Sequence, residues 1–356
     1  MKLDVIRDDV RAMRAYPVPD STGLIKLDAM ENPFSLPPEL ARELGERLAA
    51  VALNRDPPAD PAPFKRRLAQ SAAVPAGRAL MLGNGSDELI HLMIQACARR
   101  DAAAATVVLA PIPTFVMYEK FSRLDGCRFI GVPLRPDFEL DLGAMLAAIE
   151  AHRPSLIFVA YPNNPTGNLF GRSDLERILD RATGLVVIDE AYLPFAQDTW
   201  MPQLAAYPHL VVLRTLSKLG LAGLRIGYAC ADPAWIEQFD KVRPPYNVGV
   251  LPLAAADFLL DHFAVLQSQA AVIRSERARL LHALRAQPGL TAFDSAANFI
   301  LFRVPQADRV FAGLRERGIL LKNVSGSDSL LRGCLRVTVG TPQENDAFLQ
   351  ALGTLL

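Results

Sequence analysis

Residues 185–192 read Leu-Val-Val-Ile-Asp-Glu-Ala-Tyr, a short apolar run that ends on two carboxylates. The apolar part is continuous rather than alternating, which is typical of a β-strand covered by helices on both faces. A carboxylate directly after such a strand, here Asp189, is partly buried and needs a positively charged partner. The stretch therefore predicts a wound sheet with a ligand at the carboxyl end of its strands.

The same pattern extends in both directions from this stretch. From about residue 79 to 230, short runs rich in Val, Ile and Leu alternate with helical patterns. This alternation predicts an α/β fold with a mostly parallel, wound sheet. The predicted strands are Ala79–Leu82, Thr106–Ala110, Arg128–Val132, Leu156–Ala160, Leu185–Ile188, Leu210–Arg214 and Ile226–Cys230, and two of the intervening helices are Ser86–Ala98 and Asp141–His152.

The pattern changes after Pro244-Pro245, which indicates a second domain. A long helical pattern over residues 252–286 is followed by predicted strands at Phe299–Val304, Ile319–Lys322 and Leu335–Val339, with helices at 306–317 and 342–356. Thr341 before Pro342 is a good helix N-cap. We therefore predict an N-terminal arm (1–29), a large cofactor-binding domain (30–245) and a small α+β C-terminal domain (246–356).

Composition excludes several classes of function. The chain has 356 residues, 51% of them apolar, and its 38 basic and 38 acidic side chains cancel, so neither nucleic acid nor an anionic membrane is an expected partner. No apolar run reaches the length of a membrane span, and the charged first residues do not resemble a signal peptide. Four cysteines without a CxxC motif suggest reduced thiols in a cytoplasmic enzyme. The five scattered histidines predict no metal site.

Ser217-Lys218, followed seven residues later by Arg225 in a Gly-Leu-Arg-Ile-Gly turn, suggests covalent chemistry. An amine that attacks an aldehyde must be unprotonated, so the site has to lower the pKa of Lys218 by burial or by nearby positive charge. The same amine can then move a proton as general base and acid. A Ser-Lys pair alone is more often a solvated surface lysine, and only the arginine spacing favours the functional interpretation.

Three further side chains are candidates for binding a pyridine ring. Asp189 can pair with a protonated ring nitrogen, which makes the ring withdraw electrons. Tyr192 and Asn164, the latter in a turn fixed by prolines and Gly167, can donate hydrogen bonds to the ring's phenolic oxygen. The alternatives are an acid that caps the next helix, a packing tyrosine and an Asn-Pro turn.

A phosphate group has its own set of candidates. Gly85, Ser86 and Asp87 follow a strand and open a helix, where free N–H groups bind anions. Ser217 and the forked guanidinium of Arg225 would complete the site, although Ser86 and Asp87 can equally be helix caps. Phe115 is placed to stack on a ring. Together these residues predict pyridoxal 5'-phosphate as the cofactor.

These motifs resemble the fold-type I, pyridoxal-phosphate-dependent aminotransferases of class I and II over essentially the whole chain. More narrowly, the chain resembles the histidinol-phosphate aminotransferases. The segments that carry this resemblance are residues 27–34, 161–167, 215–225, 245–248 and 334–341.

The resemblance implies amino transfer between L-histidinol phosphate and 2-oxoglutarate, giving imidazole-acetol phosphate and L-glutamate, in histidine biosynthesis. It also implies a homodimer in the cytoplasm. Arg336, a charge within an otherwise apolar strand, would bind the anionic head of either substrate. Tyr16 and Asn32 would lie nearby, and Lys322 stands where an arginine often binds the substrate phosphate.

Three positions depart from the family pattern. Asp56 stands where the family usually has a tyrosine that reaches the partner's cofactor phosphate, Met30 replaces a common asparagine, and Lys322 lacks the bidentate geometry of arginine. Aromatic aminotransferases and threonine-phosphate decarboxylases share much of the motif set. The alternatives are therefore an aromatic amino acid aminotransferase and, in another class, a non-catalytic regulator that binds pyridoxal phosphate.

Overall fold

A computed structural model describes residues 4–15, 17–99 and 105–356. The strands are β1 (Ile25–Lys26), β2 (Ala79–Asn84), β3 (Val107–Ile112), β4 (Arg128–Pro133), β5 (Leu156–Ala160), β6 (Leu185–Asp189), β7 (Leu210–Thr215), β8 (Ile226–Ala231), β9 (Thr291–Ala292), β10 (Phe299–Arg303), β11 (Ile319–Leu320), β12 (Lys322–Asn323) and β13 (Cys334–Thr338). The helices are α1 (Asp8–Ala12), α2 (Pro38–Ala49), α3 (Ala62–Ser71), α4 (Ser86–Cys97), α5 (Met117–Leu124), α6 (Leu142–His152), α7 (Arg172–Arg181), α8 (Leu193–Ala196), α9 (Pro233–Asp240), α10 (Val250–Asp261), α11 (Phe263–Arg285), α12 (Ala307–Glu316) and α13 (Pro342–Gly353).

The larger sheet has seven strands in the order β2-β8-β7-β6-β5-β3-β4. All its neighbouring strands run parallel except where β8 pairs with β2 and β7. The predicted α/β class with a mostly parallel sheet is confirmed. Since β5, β6 and β7 run in the same direction, their carboxyl ends meet at one edge of the sheet, where ligands of open α/β sheets bind.

Side chains from this sheet pack into two separate cores, one on each face. In β6, Val186 and Ile188 belong to one core, whereas Leu185 and Val187 belong to the other. Both sets are almost fully buried, and burying one such side chain stabilises the fold by about 1.5–3 kcal/mol. Burial on both faces explains why the strand sequences are continuously apolar.

The C-terminal residues form a second, four-stranded sheet in the order β12-β13-β10-β9. The N-terminal segment is tied to this part of the chain, because β1 pairs in parallel with β11. Thr341 begins α13 with a full capping box, as its sequence position predicts: its side chain accepts from the backbone of Glu344, and the Glu344 carboxylate accepts from the Thr341 backbone N–H. The domain boundaries after residues 29 and 245 remain a prediction.

The helical pattern over residues 252–286 forms two helices rather than one. α10 ends at Asp261 and α11 begins at Phe263, with an angle of 80° between them. His262 at the junction has φ −110° and ψ 22°, outside helical values. Within the described ranges, no single helix is long and apolar enough to span a membrane; only this bent pair, taken together, has that length and composition.

Candidate active site

The predicted cofactor residues surround one cavity at the carboxyl ends of β5, β6 and β7. Asp189 is the last residue of β6 and pairs in register with Ala160 and Leu213 of its neighbours. Ser217 and Lys218 follow β7 in a 3₁₀ turn, and Asn164 follows β5. The cavity has a volume of about 130 Å³ and is lined by Met30, Ser86, Asp87, Phe115, Ala160, Asn164, Asp189, Ala191, Tyr192, Thr215, Ser217, Lys218 and Arg225.

Lys218 is the amine of this cavity. Its Nζ donates to the carbonyl oxygen of Ala29 at 3.2 Å and lies 5.9 Å from the centre of the Tyr192 ring. Burial lowers the pKa of Lys218 to about 8, and the positive charges of Arg336 and Arg225 act in the same direction. At neutral pH roughly a tenth of the amine is therefore unprotonated, far more than for an ordinary lysine.

Asp189 is a carboxylate with 5% exposure at the base of the cavity. Burial raises the pKa of Asp189, and the negative charges of Asp87 and Glu190 act in the same direction, so that its pKa is about 6. Hydrogen bonds to Asp189 from the Tyr118 hydroxyl (2.8 Å) and the Ala191 N–H (3.0 Å) partly offset this effect. A cation in the cavity beside Asp189 would stabilise the ionised form further.

A second group of residues at this cavity has the donors that a phosphate needs. Gly85 has φ +82°, and a Cβ there would lie 2.6 Å from Nη2 of Arg225, so glycine lets the guanidinium approach the backbone. Ser86 and Asp87 open α4, whose N-cap is Gly85 without a side-chain cap, so neither residue caps the helix. The hydroxyl of Ser217 is oriented by Thr215, whose Oγ1 donates to it at 2.9 Å. Free N–H groups, a hydroxyl and a guanidinium are suitable donors for phosphate.

A wider cavity of about 330 Å³ adjoins the first, because Met30, Phe115 and Asn164 line both. Its other lining residues include Lys322 and Arg336. Arg336, on β13, donates to Asn164 Oδ1 at 2.5 Å and to the carbonyl oxygen of Asp28 at 3.0 Å. The small sheet thus contributes two cations to a space beside Lys218.

Asn32, another predicted site residue, lines neither cavity. Asn32 donates to the carbonyl oxygen of Leu219 at 3.2 Å and to Oε1 of Gln269 at 2.9 Å, so its amide supports the turn that carries Lys218. Asp56 is exposed and lines neither cavity of its own chain. Tyr16 lies outside the described residues.

Two features of the site were not anticipated. The Tyr118 hydroxyl hydrogen-bonds to Asp189, and the Tyr192 hydroxyl donates to Sδ of Met30 at 3.2 Å. Met30 also has φ +55°, a left-handed conformation in which asparagine is far more common than methionine. The spacing of Tyr118 three residues after Phe115 indicates at most that the tyrosine is buried. It does not indicate which residue its hydroxyl contacts.

Comparisons with known proteins identify the family of the chain. Residues 22–352 match the model of the family "Aminotransferase class I and II". The chain belongs to this family. It is 57% identical to histidinol-phosphate aminotransferase 2 of Burkholderia pseudomallei, over 98% of this chain and 97% of the relative. It is 55% identical to histidinol-phosphate aminotransferase 1 of Ralstonia nicotianae, over 99% of this chain and 94% of the relative.

A solved structure shares the fold of this aminotransferase. The histidinol-phosphate aminotransferase of Sinorhizobium meliloti, in complex with pyridoxal-5'-phosphate, aligns with a TM-score of 0.85 at 23% identity, covering 99% of this chain and 98% of that one. At this identity the likeness concerns the fold alone. The predictions of an aminotransferase and of a fold-type I architecture are confirmed by the family match.

The cavity of this aminotransferase fits pyridoxal phosphate. Its lining includes a buried carboxylate, an amine with a lowered pKa, and the guanidinium of Arg225, which Gly85 allows to approach the backbone. When bound, the cofactor supplies an electron sink that stabilises negative charge on the substrate carbon. Asp189 would hold the ring nitrogen, Asn164 and Tyr192 the phenolic oxygen, Phe115 the ring face, and Ser86, Ser217 and Arg225 the phosphate.

The lowered pKa of Lys218 predicts a pH dependence. Since only the neutral amine attacks an aldehyde, we expect the rate of cofactor attachment to the apo-protein to rise with pH and level off above about 8. Arg336→Gln removes a positive charge that lowers the pKa of Lys218, so the midpoint should move to higher pH. Stopped-flow absorbance across a pH series measures the attachment rate and its midpoint for wild type and variant. Arg279→Gln, which removes an arginine from a surface ion pair, is the control. A midpoint unmoved by Arg336→Gln contradicts this account of the amine.

Proposed function

We propose that this aminotransferase transfers the amino group of L-histidinol phosphate to 2-oxoglutarate, giving imidazole-acetol phosphate and L-glutamate, as a step of histidine biosynthesis. The two relatives described above support the choice of substrate. So does the wider cavity, in which apolar side chains such as Phe129, Val324 and Leu331 lie beside the two cations and offer a surface for a ring.

One observation carries the proposal more than any other. Lys322 and Arg336 pair directly across antiparallel strands, and both line the wider cavity. Side chains of directly opposed residues share one face of a sheet, where two like charges destabilise it. Two cations on one wall of the wider cavity are suited to bind an anionic substrate group, carboxylate or phosphate.

In the proposed reaction each residue has a defined task. Lys218 Nζ would accept a proton from the substrate carbon that bears the amino group, hold it, and act as the general acid that gives it back. Asp189 would hold the ring nitrogen of the bound cofactor through its negative charge. Arg336 and Lys322 hold the substrate so that the carbon to be deprotonated stays within reach of Nζ.

Amino-transfer assays with purified protein test the substrate. We expect kcat/KM for histidinol phosphate to exceed that for phenylalanine at least about tenfold under the same conditions, since a phosphate carries more negative charge than the carboxylate of phenylalanine and can bind both Lys322 and Arg336. A preference for phenylalanine would instead support the aromatic aminotransferase. A spectral change on adding glutamate, without formation of a keto acid, would support the non-catalytic regulator.

Lys322→Ala separates phosphate binding from carboxylate binding. The variant should raise KM for histidinol phosphate about tenfold, because a hydrogen-bonded ion pair with the phosphate is lost, and should leave KM for phenylalanine within about twofold. Steady-state kinetics on both substrates measure this, with Lys322→Arg expected to retain binding. Lys241→Ala, a change at an exposed position, is the control. Equal effects on both substrates would exclude a role of Lys322 in phosphate recognition.

The proposal includes a cytoplasmic homodimer. Leu53, in the loop around Asp56, is 70% exposed. Pro58 of the same loop lines a surface cavity together with Tyr246, which is 47% exposed. Leu251, at the start of α10, is also exposed. Apolar side chains of this size on a surface favour a protein partner, and a second copy of the chain is the partner proposed here.

Sedimentation measures the assembly. We expect a species of about twice the 38.8 kDa chain mass, and expect the double variant Leu53→Asp, Leu251→Asp to shift the population toward monomer because it places charges in an apolar interface. Val272→Asp, at an exposed position on α11, is the matched control. A monomeric wild-type protein, or a double variant that dimerises normally, would overturn this assignment of the interface.

A further inference from the structure

Tyr118 lies in the core directly behind the carboxylate of Asp189. Its side chain has no exposed surface, and its hydroxyl donates to Oδ2 of Asp189 at 2.8 Å. The two residues are 71 positions apart in the sequence, so α5 and β6 bring them together. A buried tyrosine hydroxyl needs a hydrogen-bond partner. The partner of Tyr118 is Asp189, which among the described residues is the only carboxylate that lines the cofactor cavity and is nearly fully buried.

The ring of Tyr118 is held from several sides. It stacks on Phe158 with centroids 4.7 Å apart and an angle of 12°, and it meets the edge of Phe115 at 5.7 Å. The hydroxyl of Ser122 donates to the Tyr118 carbonyl oxygen at 2.6 Å and fixes the same turn of α5. Because the ring is fixed by packing, replacing tyrosine with phenylalanine removes the hydroxyl and leaves the shape of the site intact.

The hydroxyl compensates for an unfavourable environment around Asp189. Two further acids, Asp87 at the start of α4 and Glu190 next in the chain, act on Asp189 and favour its neutral form, as burial does. Two hydrogen-bond donors, Tyr118 and the Ala191 N–H, favour the ionised form, and the cations Lys218 and Arg225 line the same cavity. The Ala191 bond comes from the backbone, so among the described residues Tyr118 is the side chain that donates a hydrogen bond to the Asp189 carboxylate.

We propose that Tyr118 is a positioning residue that keeps the Asp189 carboxylate ionised and oriented toward the ring nitrogen of the cofactor. The inference rests on the proposed function, because it presupposes that pyridoxal phosphate occupies the cavity lined by Asp189. A protonated, neutral Asp189 would not attract a positively charged ring nitrogen, so loss of the hydroxyl weakens the hold on the cofactor without altering its contacts.

A double-mutant cycle on cofactor affinity tests this role without relying on activity. The apo-proteins of wild type, Tyr118→Phe, Asp189→Asn and the double variant are titrated with pyridoxal phosphate, and binding is followed by absorbance. We expect Tyr118→Phe to weaken binding about tenfold when Asp189 is present, but less than about twofold in the Asp189→Asn background, where no charge remains to be maintained. We also expect the acid limb of the binding curve to move to higher pH in Tyr118→Phe, because the carboxylate becomes easier to protonate.

Tyr161→Phe is the matched control. Tyr161 is equally buried and donates to a carboxylate, Asp198, at 2.6 Å, but neither residue lines the cofactor cavity. This variant should leave cofactor affinity and its pH dependence unchanged. Equal weakening by Tyr118→Phe in both backgrounds would show that Tyr118 only packs and would overturn the inference. A wild-type protein that binds no pyridoxal phosphate would instead overturn the proposed function, and the inference with it.

Discussion

Lys218→Ala is expected to lower kcat by about four orders of magnitude or more while the protein remains folded. The variant loses covalent attachment of the cofactor and the proton transfer that follows, and general acid–base catalysis alone contributes about 10²–10⁴-fold. Stability should change little, because Lys218 occupies a site where burial opposes its charge. The loss of rate is measured by steady-state kinetics, the loss of attachment by the visible absorbance of lysine-bound cofactor, and the stability by thermal unfolding.

Lys241→Ala, at an exposed position outside the site, should keep full activity and absorbance. Adding a small primary amine to the Lys218→Ala protein should restore part of the rate, since the missing proton carrier is then supplied from solution. Wild-type turnover by Lys218→Ala without added amine would mean that another group performs the chemistry.

Asp189→Ala is expected to lower kcat by about 10²–10⁴-fold. Removing one partner of a buried charge pair costs about 3–5 kcal/mol, and each 1.36 kcal/mol corresponds to a factor of ten in rate. Lys218 remains in place, so the protein should still take up pyridoxal phosphate and show absorbance, although with lower affinity. Kinetics and a cofactor titration of the same preparation separate the loss of rate from the loss of binding.

Asp232 provides the contrast for Asp189. It also follows a strand, β8, but its carboxylate accepts from the Ala234 N–H and caps α9. Asp232→Ala should therefore cost about 1 kcal/mol of stability and leave kcat unchanged. If Asp189→Ala behaved in the same way as Asp232→Ala, Asp189 would be a structural residue and its assignment to the ring nitrogen would be wrong.

The positions of Lys218 and Asp189 could be predicted from the sequence because they follow apolar strands. Parallel strands bring their carboxyl ends to one edge, so residues far apart in the chain meet there without any knowledge of side-chain packing. The seven strands of the large sheet were located by the same reasoning, since burial on both faces leaves a continuous apolar signature.

The contacts between distant segments could not be predicted in this way. Arg336 and Asn164 are 172 positions apart, and their hydrogen bond depends on how the small sheet lies against the large one. From the sequence, Tyr118 is predicted to be an ordinary core residue, because the apolar periodicity indicates burial but not which residue the hydroxyl contacts. The break at His262 carries no glycine or proline signal, so the helical pattern continues through it.

The most direct test of the account is to locate the cofactor on the chain. Wild-type protein loaded with pyridoxal phosphate is reduced with borohydride, digested and analysed by mass spectrometry. The account predicts a cofactor adduct on the peptide that contains Lys218, and no adduct there when substrate is added before reduction. An adduct on another lysine, or a protein that takes up no cofactor, would contradict it.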